Sequence, residues 1–166
     1  MADILCDGNT KVQWVPAIED ITAPTLDEIT ATDSISLEDL ITADGLVGFE
    51  ADTAEVPTDR LSSTFDTKMP GRASFSGTLF RLIKQDGTDT TYDTLVRNTS
   101  GFIVVRRDTS RTIAFADVDK VEVYPVTCGE TRLLQPEANS LRRYEVPVMI
   151  SPEPSLRSVV GATPSP

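Results

Sequence analysis

Carboxylates are the side chains of this sequence whose spacing comes nearest to a catalytic arrangement. Asp117 and Asp119, two apart, would share one face of a strand; Asp89 and Asp93, four apart, would share one face of a helix, with Asp86 close by. Either set could meet a divalent cation or divide the work of general acid and base in a hydrolysis. Such spacings are also what solvated surface acids produce by chance, and no EF-hand loop, Walker lysine motif or GxGxxG accompanies them. The chain contains no histidine, which excludes Ser-His-Asp and Cys-His nucleophiles, HExxH zinc sites and imidazole bases. Cys6 and Cys128 lie far apart and form no CxxC pair, so metal ligation is not expected; free thiols and a disulfide both stay open. Arg106-Arg107 and Arg142-Arg143 are the candidate nucleic-acid contacts. No aromatic residues interleave them for base stacking, and short basic pairs more often form salt bridges or solvated strand ends. The residues therefore point to a protein that is not an enzyme, with no catalytic, cofactor-binding or metal-binding set.

The charge is more informative than any motif. With 26 Asp+Glu against 15 Lys+Arg, the 166 residues carry a net −11, which argues against gripping DNA or an anionic bilayer. The surplus is regional: residues 1–60 hold 14 acids and 2 cations, a net −12, and the remainder balances near neutrality at +1. A chain of this length makes one domain that buries roughly 70% of its extended surface. No run of 18 apolar residues is present and the first residues lack a secretory pattern, so the sequence reads as soluble and made in the cytoplasm.

The elements that would position these residues are mostly strands. Residues 1–24 read as an extended N-terminal arm anchored at Trp14-Val15-Pro16, where the indole must pack on something. Pro24-Thr25-Leu26-Asp27-Glu28-Ile29 starts a short helix, with Thr25 as N-cap and Glu28 closing a capping box. Ile35, Leu37, Leu40 and Ile41 fit neither the helical nor the strand period. Asp44-Gly45 marks a turn before Leu46–Phe49, and the polar stretch 52–60 reads as a loop or an edge strand. A strand is expected over 73–83 with a bulge at Gly77, a helix around Tyr92, Leu95 and Val96, and strands over 101–107, 118–126 and 141–150. Pro125 inside the second of these predicts an edge or a break. Tyr144, Val146, Val148 and Ile150 share one parity, and residues 151–166, rich in Pro and Ser, read as a flexible C-terminal tail after a β domain spanning 25–150. The fold class is α+β or mostly β: a β-sandwich or barrel-like body of five to seven strands with one flanking short helix.

The order of these features resembles the major tail tube proteins of long non-contractile-tailed bacteriophages, the siphovirus type. The matching run is Trp14-Val15-Pro16; Ala23 to Ile29; Ile41-Thr42-Ala43-Asp44-Gly45-Leu46 with Gly48-Phe49; Thr67-Lys68-Met69-Pro70-Gly71; Asp93-Thr94-Leu95-Val96 before Gly101 to Arg106; and Arg143-Tyr144-Glu145-Val146-Pro147. The resemblance spans roughly residues 10–150. It implies the phage tail tube fold and a structural virion protein whose copies form stacked hexameric rings around a continuous inner β-barrel. Strands near 34–50 and 60–84 would line that lumen, while an extended loop and the terminal arms would join rings. Partners implied are the chain itself, a tape measure protein inside the lumen, tail terminator and distal tail proteins at the ends, and double-stranded DNA in passage without specific binding; no membrane is involved. The location implied is the virion tail, after synthesis in the host bacterial cytoplasm. A tail terminator or head-to-tail joining protein is the alternative, and a non-viral β binding module a more distant one.

Physical chemistry agrees with a conduit. Cationic contacts repeated along a tube would brake DNA, whereas an acidic lining repels its phosphates and keeps a hydrated gap. Asp33, Glu38, Asp39, Asp44, Glu50 and Asp52 are the acids expected to face such a lumen.

Overall fold

In the computed structural model, which describes residues 3–161, the chain enters its sheet almost at once. Strand β1 (Thr10–Val15) pairs with β2 (Ile35–Ser36) on one side and with β7 (Ser100–Arg107) on the other, so the anchor expected at Trp14 is the middle of a sheet rather than the end of an arm. The reason is in the alternation: Val12 and Trp14 point into one core and Val15 into another, each at most 3% exposed. Helix α1 (Leu26–Ile29) is one turn long and has the expected capping box. The Thr25 hydroxyl accepts from the Glu28 N–H at 3.3 Å, and Glu28 Oε2 accepts from the Thr25 N–H at 2.8 Å. The remaining elements are β3 (Ile41–Val47), β4 (Asp52–Pro57), β5 (Lys68–Ser74), β6 (Leu79–Ile83), α2 (Thr90–Thr94), β8 (Lys120–Cys128), β9 (Arg132–Leu133), β10 (Arg143–Ile150) and β11 (Ser155–Val159).

Nine strands form one sheet in the order β2-β1-β7-β8-β10-β6-β3, with β11 also paired to β8 and β9 to β10. Strand β10 joins its two halves: Val148–Ile150 pair with β8, whereas Arg143–Pro147 pair with β6. The sheet curls there, and its halves face one another across a core of Trp14, Ile103, Tyr124, Phe80, Leu82, Tyr144 and Val146 among others. Phe49 stacks on Phe80 at 5.2 Å and meets Tyr124 edge-on at 5.1 Å, which ties the two halves together. The outer face of β1, β7 and β8 carries a second, smaller core of Val15, Val104, Val121 and Val123, covered by Ile18, Ile29, Phe115 and Val160.

The fold is mostly β, as the sequence implies, with more strands than expected and with both helices that the residues predicted, each about one turn long. The second helix begins at Thr90, capped by Asp89, two residues before Tyr92. Asp44-Gly45 is not a turn; β3 runs through it, and its pairing with β6 shifts register between Ile41 and Leu46, so the dipeptide makes a bulge. The strand expected over 73–83 is two strands, broken around Gly77, whose φ is 66°. Pro125 lies inside a central strand. It sits between the β8 residues that pair with β11 and those that pair with β10, a junction where a missing N–H disrupts no ladder. The C-terminal tail expected from 151 is a strand over Ser155–Val159, because its residues complete the β8 ladder and Ser158 donates to the Ile21 carbonyl. Of that tail, residues 162–166 lie outside those described.

Candidate functional site

None of the carboxylate pairs converges on a reacting position. Asp117 is exposed, while Asp119 is engaged by Arg106, with Nη1 2.8 Å from Oδ2. Asp89 is buried and spent on the backbone, accepting from Gln85 N–H at 2.9 Å and Tyr92 N–H at 3.0 Å; Asp86 and Asp93 stay exposed. Among the described residues no group of three or more His, Cys, Asp or Glu could hold a metal ion.

The basic pairs divide likewise. Arg106 is 1% exposed and holds the β7–β8 connection, whereas Arg107 donates to both carboxylate oxygens of Glu122 at 3.1 and 3.2 Å. Arg143 donates to Glu137 at 2.8 Å, and Arg142 is exposed at the start of β10. These are structural or solvated cations, not a nucleic-acid track. Both cysteines are free: Cys6 is exposed and Cys128 buried. Burial pushes the Cys128 thiol up to about 11 from an ordinary 9.0. The unfolded thiol ionises first, so this contribution to stability is absent below pH 9 and turns into a penalty on the folded state as pH rises toward 11. At pH 8 iodoacetamide should modify one thiol per native chain, at Cys6, and a second only in denaturant. Equal rates at both would contradict the burial.

The acids expected to line a lumen have different fates. Lys11 Nζ lies 3.4 Å from Glu38, Arg81 Nη1 donates to Asp44 at 3.0 Å, and Arg111 Nη1 donates to Asp39. The Asp44 carboxyl is held below its usual value first by the Thr42 hydroxyl and then by its own N–H, with Arg81 adding to this. Among the described residues cations thus pair with four of the 14 acids of residues 1–60, Glu38, Asp39, Asp44 and Glu55, three of them through Lys68, Arg81 and Arg111 of the second part. Asp33, Glu50 and Asp52 are exposed with no cation within ion-pair distance among the described residues. Around α1 the field is also negative. Burial alone would raise the Glu28 carboxyl, yet the N–H groups of Thr25 and Glu19 and the Thr25 hydroxyl hold it below its ordinary value.

The feature that sequence reading missed is a ribbon. Strands β4 and β5 pair only with each other, and all 13 of their residues are exposed. They continue the β3–β6 pair outward past Gly48, where φ is 75° and a Cβ would lie 2.7 Å from the Ser76 carbonyl oxygen, so only glycine fits the corner. The ribbon is amphipathic. Val56 and Met69 are cross-strand partners on one face, while Lys68 pairs with Glu55 on the other. Its tip is closed by the Thr58 N–H donating to the Thr67 carbonyl at 2.8 Å and by their hydroxyls at 2.7 Å, and it presents Leu61 and Phe65, the latter 76% exposed. A two-stranded ribbon with an apolar face is marginal alone and gains from being covered. The signal available in the sequence was only Val56 and Met69 set among polar residues, which no periodicity rule reads as buried.

The family model for phage tail tube proteins matches residues 1–163 of the chain. No curated protein matches it.

Proposed function

The chain belongs to the phage tail tube protein family, a family of structural, non-catalytic virion components, and on that premise we propose that it is the repeating subunit of a tail tube. Copies join laterally into rings, six by the resemblance noted above, and the rings stack into a conduit for double-stranded DNA. The observation that carries this reading is the open edge of the curled sheet. Strand β3 is terminal in the strand order and pairs only with β6, so beyond Ile41, whose N–H donates to the Leu37 carbonyl, the outward N–H and C=O groups of its residues 42–47 face no further strand of this sheet. Pairing that edge with a neighbouring copy closes a barrel across subunits and removes an edge that would otherwise recruit strands without control. A tape measure protein would occupy the lumen before DNA, with terminator and distal tail proteins capping the ends.

The acidic lining narrows to Asp33, Glu50 and Asp52, since Asp39 and Asp44 are spent in ion pairs and Glu38 faces Lys11. The test is negative-stain microscopy of the purified protein over a range of concentrations, followed by the triple replacement Asp33→Lys, Glu50→Lys and Asp52→Lys in the phage. Wild-type protein should form rings or tubes, and the triple variant should build intact particles that deliver DNA poorly. Protein that stays monomeric at every concentration would count against the tube. Normal infectivity of the triple variant would remove the lumen assignment for these three acids.

A further inference from the structure

The curled sheet has a groove beside β8 and β11, on the side that carries Val105, Arg107, Lys120 and Glu122, about 400 Å³ in volume. Its floor includes Val121, Leu156 and Val159, of which the last two are 42% and 41% exposed. Its rim carries Lys120 and Arg157, which have no carboxylate within 4.0 Å among the described residues. Of the acids beside them, Glu122 is already paired with Arg107, which leaves Asp108 alone against two cations. An apolar floor with a positive rim fits an apolar segment flanked by acids. The ribbon tip has an apolar pair flanked by acids: Leu61 and Phe65, both exposed, stand between Asp59 and Asp66, and with Arg60 as the one cation among them residues 59–66 are net −1; neither acid has a cation within ion-pair distance among the described residues.

We infer that the β8–β11 groove is the receptor for the ribbon tip of a second copy of this chain. Two other clefts fit less well. The cleft beside Pro16 and Phe102, about 370 Å³, carries Glu19 and no cation. The larger one, about 530 Å³, is lined by Asp7, Glu38, Asp44 and Glu50; its cations Arg107 and Arg111 are already paired with Glu122 and Asp39, so it would repel an acidic tip. A molecule's own tip does not reach its own groove. Leu156 lines both the groove and the cleft at the ribbon's root, and six residues of extended strand carry the tip roughly 20 Å outward from that root. The tip is also pre-shaped, since Ser63 bridges it by donating to the Phe65 carbonyl at 2.9 Å and accepting from the Phe65 N–H at 3.1 Å; little ordering is left to lose on docking. Each copy both gives a tip and offers a groove, which is the heterologous geometry that propagates without limit or closes a ring. The inference rests on the tube reading and adds to it a named receptor surface.

The experiment is a charge exchange read by sedimentation and negative stain. The tip variant Asp59→Lys/Asp66→Lys and the groove variant Lys120→Glu/Arg157→Glu should each raise the concentration needed for assembly at least about tenfold, the effect of one lost close charge pair. Their combination should recover to within about threefold of wild type, with unchanged Trp14 fluorescence reporting that every variant is folded. A wild type that makes tubes while the variants assemble normally, or a combination that recovers nothing, overturns the groove and leaves the tube standing. A wild type that stays monomeric overturns the tube reading, and the contact is then decided separately by Leu61→Cys and Val159→Cys in a Cys6→Ser background oxidised with copper phenanthroline. A covalent dimer linking the two introduced thiols supports the contact; its absence at high protein concentration overturns it.

Discussion

Replacing Arg106 with Ala should cost about 3 kcal/mol of folding stability, the low end of the range for deleting one partner of a buried ion pair, because Asp119 keeps 24% of its side chain exposed. At 2–4 °C per kcal/mol for a domain of this size, the unfolding midpoint should fall by roughly 10 °C. The guanidinium lies inside the loop that joins β7 to β8. Nη1 donates to the Ala114 carbonyl and to Asp119 Oδ2, both at 2.8 Å, and Nη2 to the carbonyls of Ser110 at 3.1 Å and Ile113 at 2.6 Å. Its central carbon stands 5.0 Å from the Phe115 ring, itself part of the outer core. Residues 108–119 have no regular structure, so these four bonds replace the ladder that the segment lacks. Truncation takes the guanidinium donor from the Ala114 and Ile113 carbonyls, while the Ser110 carbonyl keeps the Ile113 N–H at 3.0 Å and Asp119 keeps only the Ala116 N–H at 3.0 Å. Lys at this position should recover part of the loss, because an ammonium keeps the charge but cannot fork to four acceptors. Urea denaturation followed through Trp14 measures both variants. A change under about 1 kcal/mol for Ala would show that water replaces the guanidinium without penalty.

What the sequence disclosed depended on whether its signal was local. Thr25 and Glu28 are three residues apart, so their reciprocal capping was readable before any tertiary contact was known. Tyr144, Val146 and Val148 alternate because β10 buries one face, and that face is in the core. Residues 52–74 carry no such pattern for a physical reason: the ribbon buries neither face within this chain, so nothing selects a period of two. The charge count misled in a similar way. Asp44 meets Arg81 and Asp39 meets Arg111 across 37 and 72 residues, distances at which composition cannot reveal neutralisation. Arg106 looked like half of a basic pair at a strand end, and only the fold shows that it lies with Val104 on the outer-core face, buried under the loop that carries Phe115, while Arg107 stays exposed on the opposite face. Strand β11 was hidden by the prolines around it, although Ser155–Val159 contains none.

The second large effect is expected at Gly101. Its backbone is ordinary extended strand, paired with Val126, so the requirement for glycine is steric and not conformational. The Trp14 indole lies over it: an added Cβ would come within 2.7 Å of Cη2 and 2.9 Å of Cε2, and closer still to Cζ2, all nearer than real contacts allow. Trp14 is 1% exposed and cannot yield by swinging into solvent. Gly101→Ala should therefore displace β1 against β7 or force the indole from its rotamer, at about 1–3 kcal/mol or more. Because Trp14 is the sole tryptophan, its emission reports the displacement directly. The decisive variant is the double one. Trp14→Phe alone should cost about 2 kcal/mol through the cavity it leaves, yet it removes the outer ring carbons that a methyl group at position 101 would strike. The pair should be more stable than the sum of the single changes by at least about 1 kcal/mol, a coupling that independent sites do not give. Additive losses would mean that the indole is not what holds position 101 to glycine, and the packing of β1 on β7 would have to be explained by the backbone ladder alone.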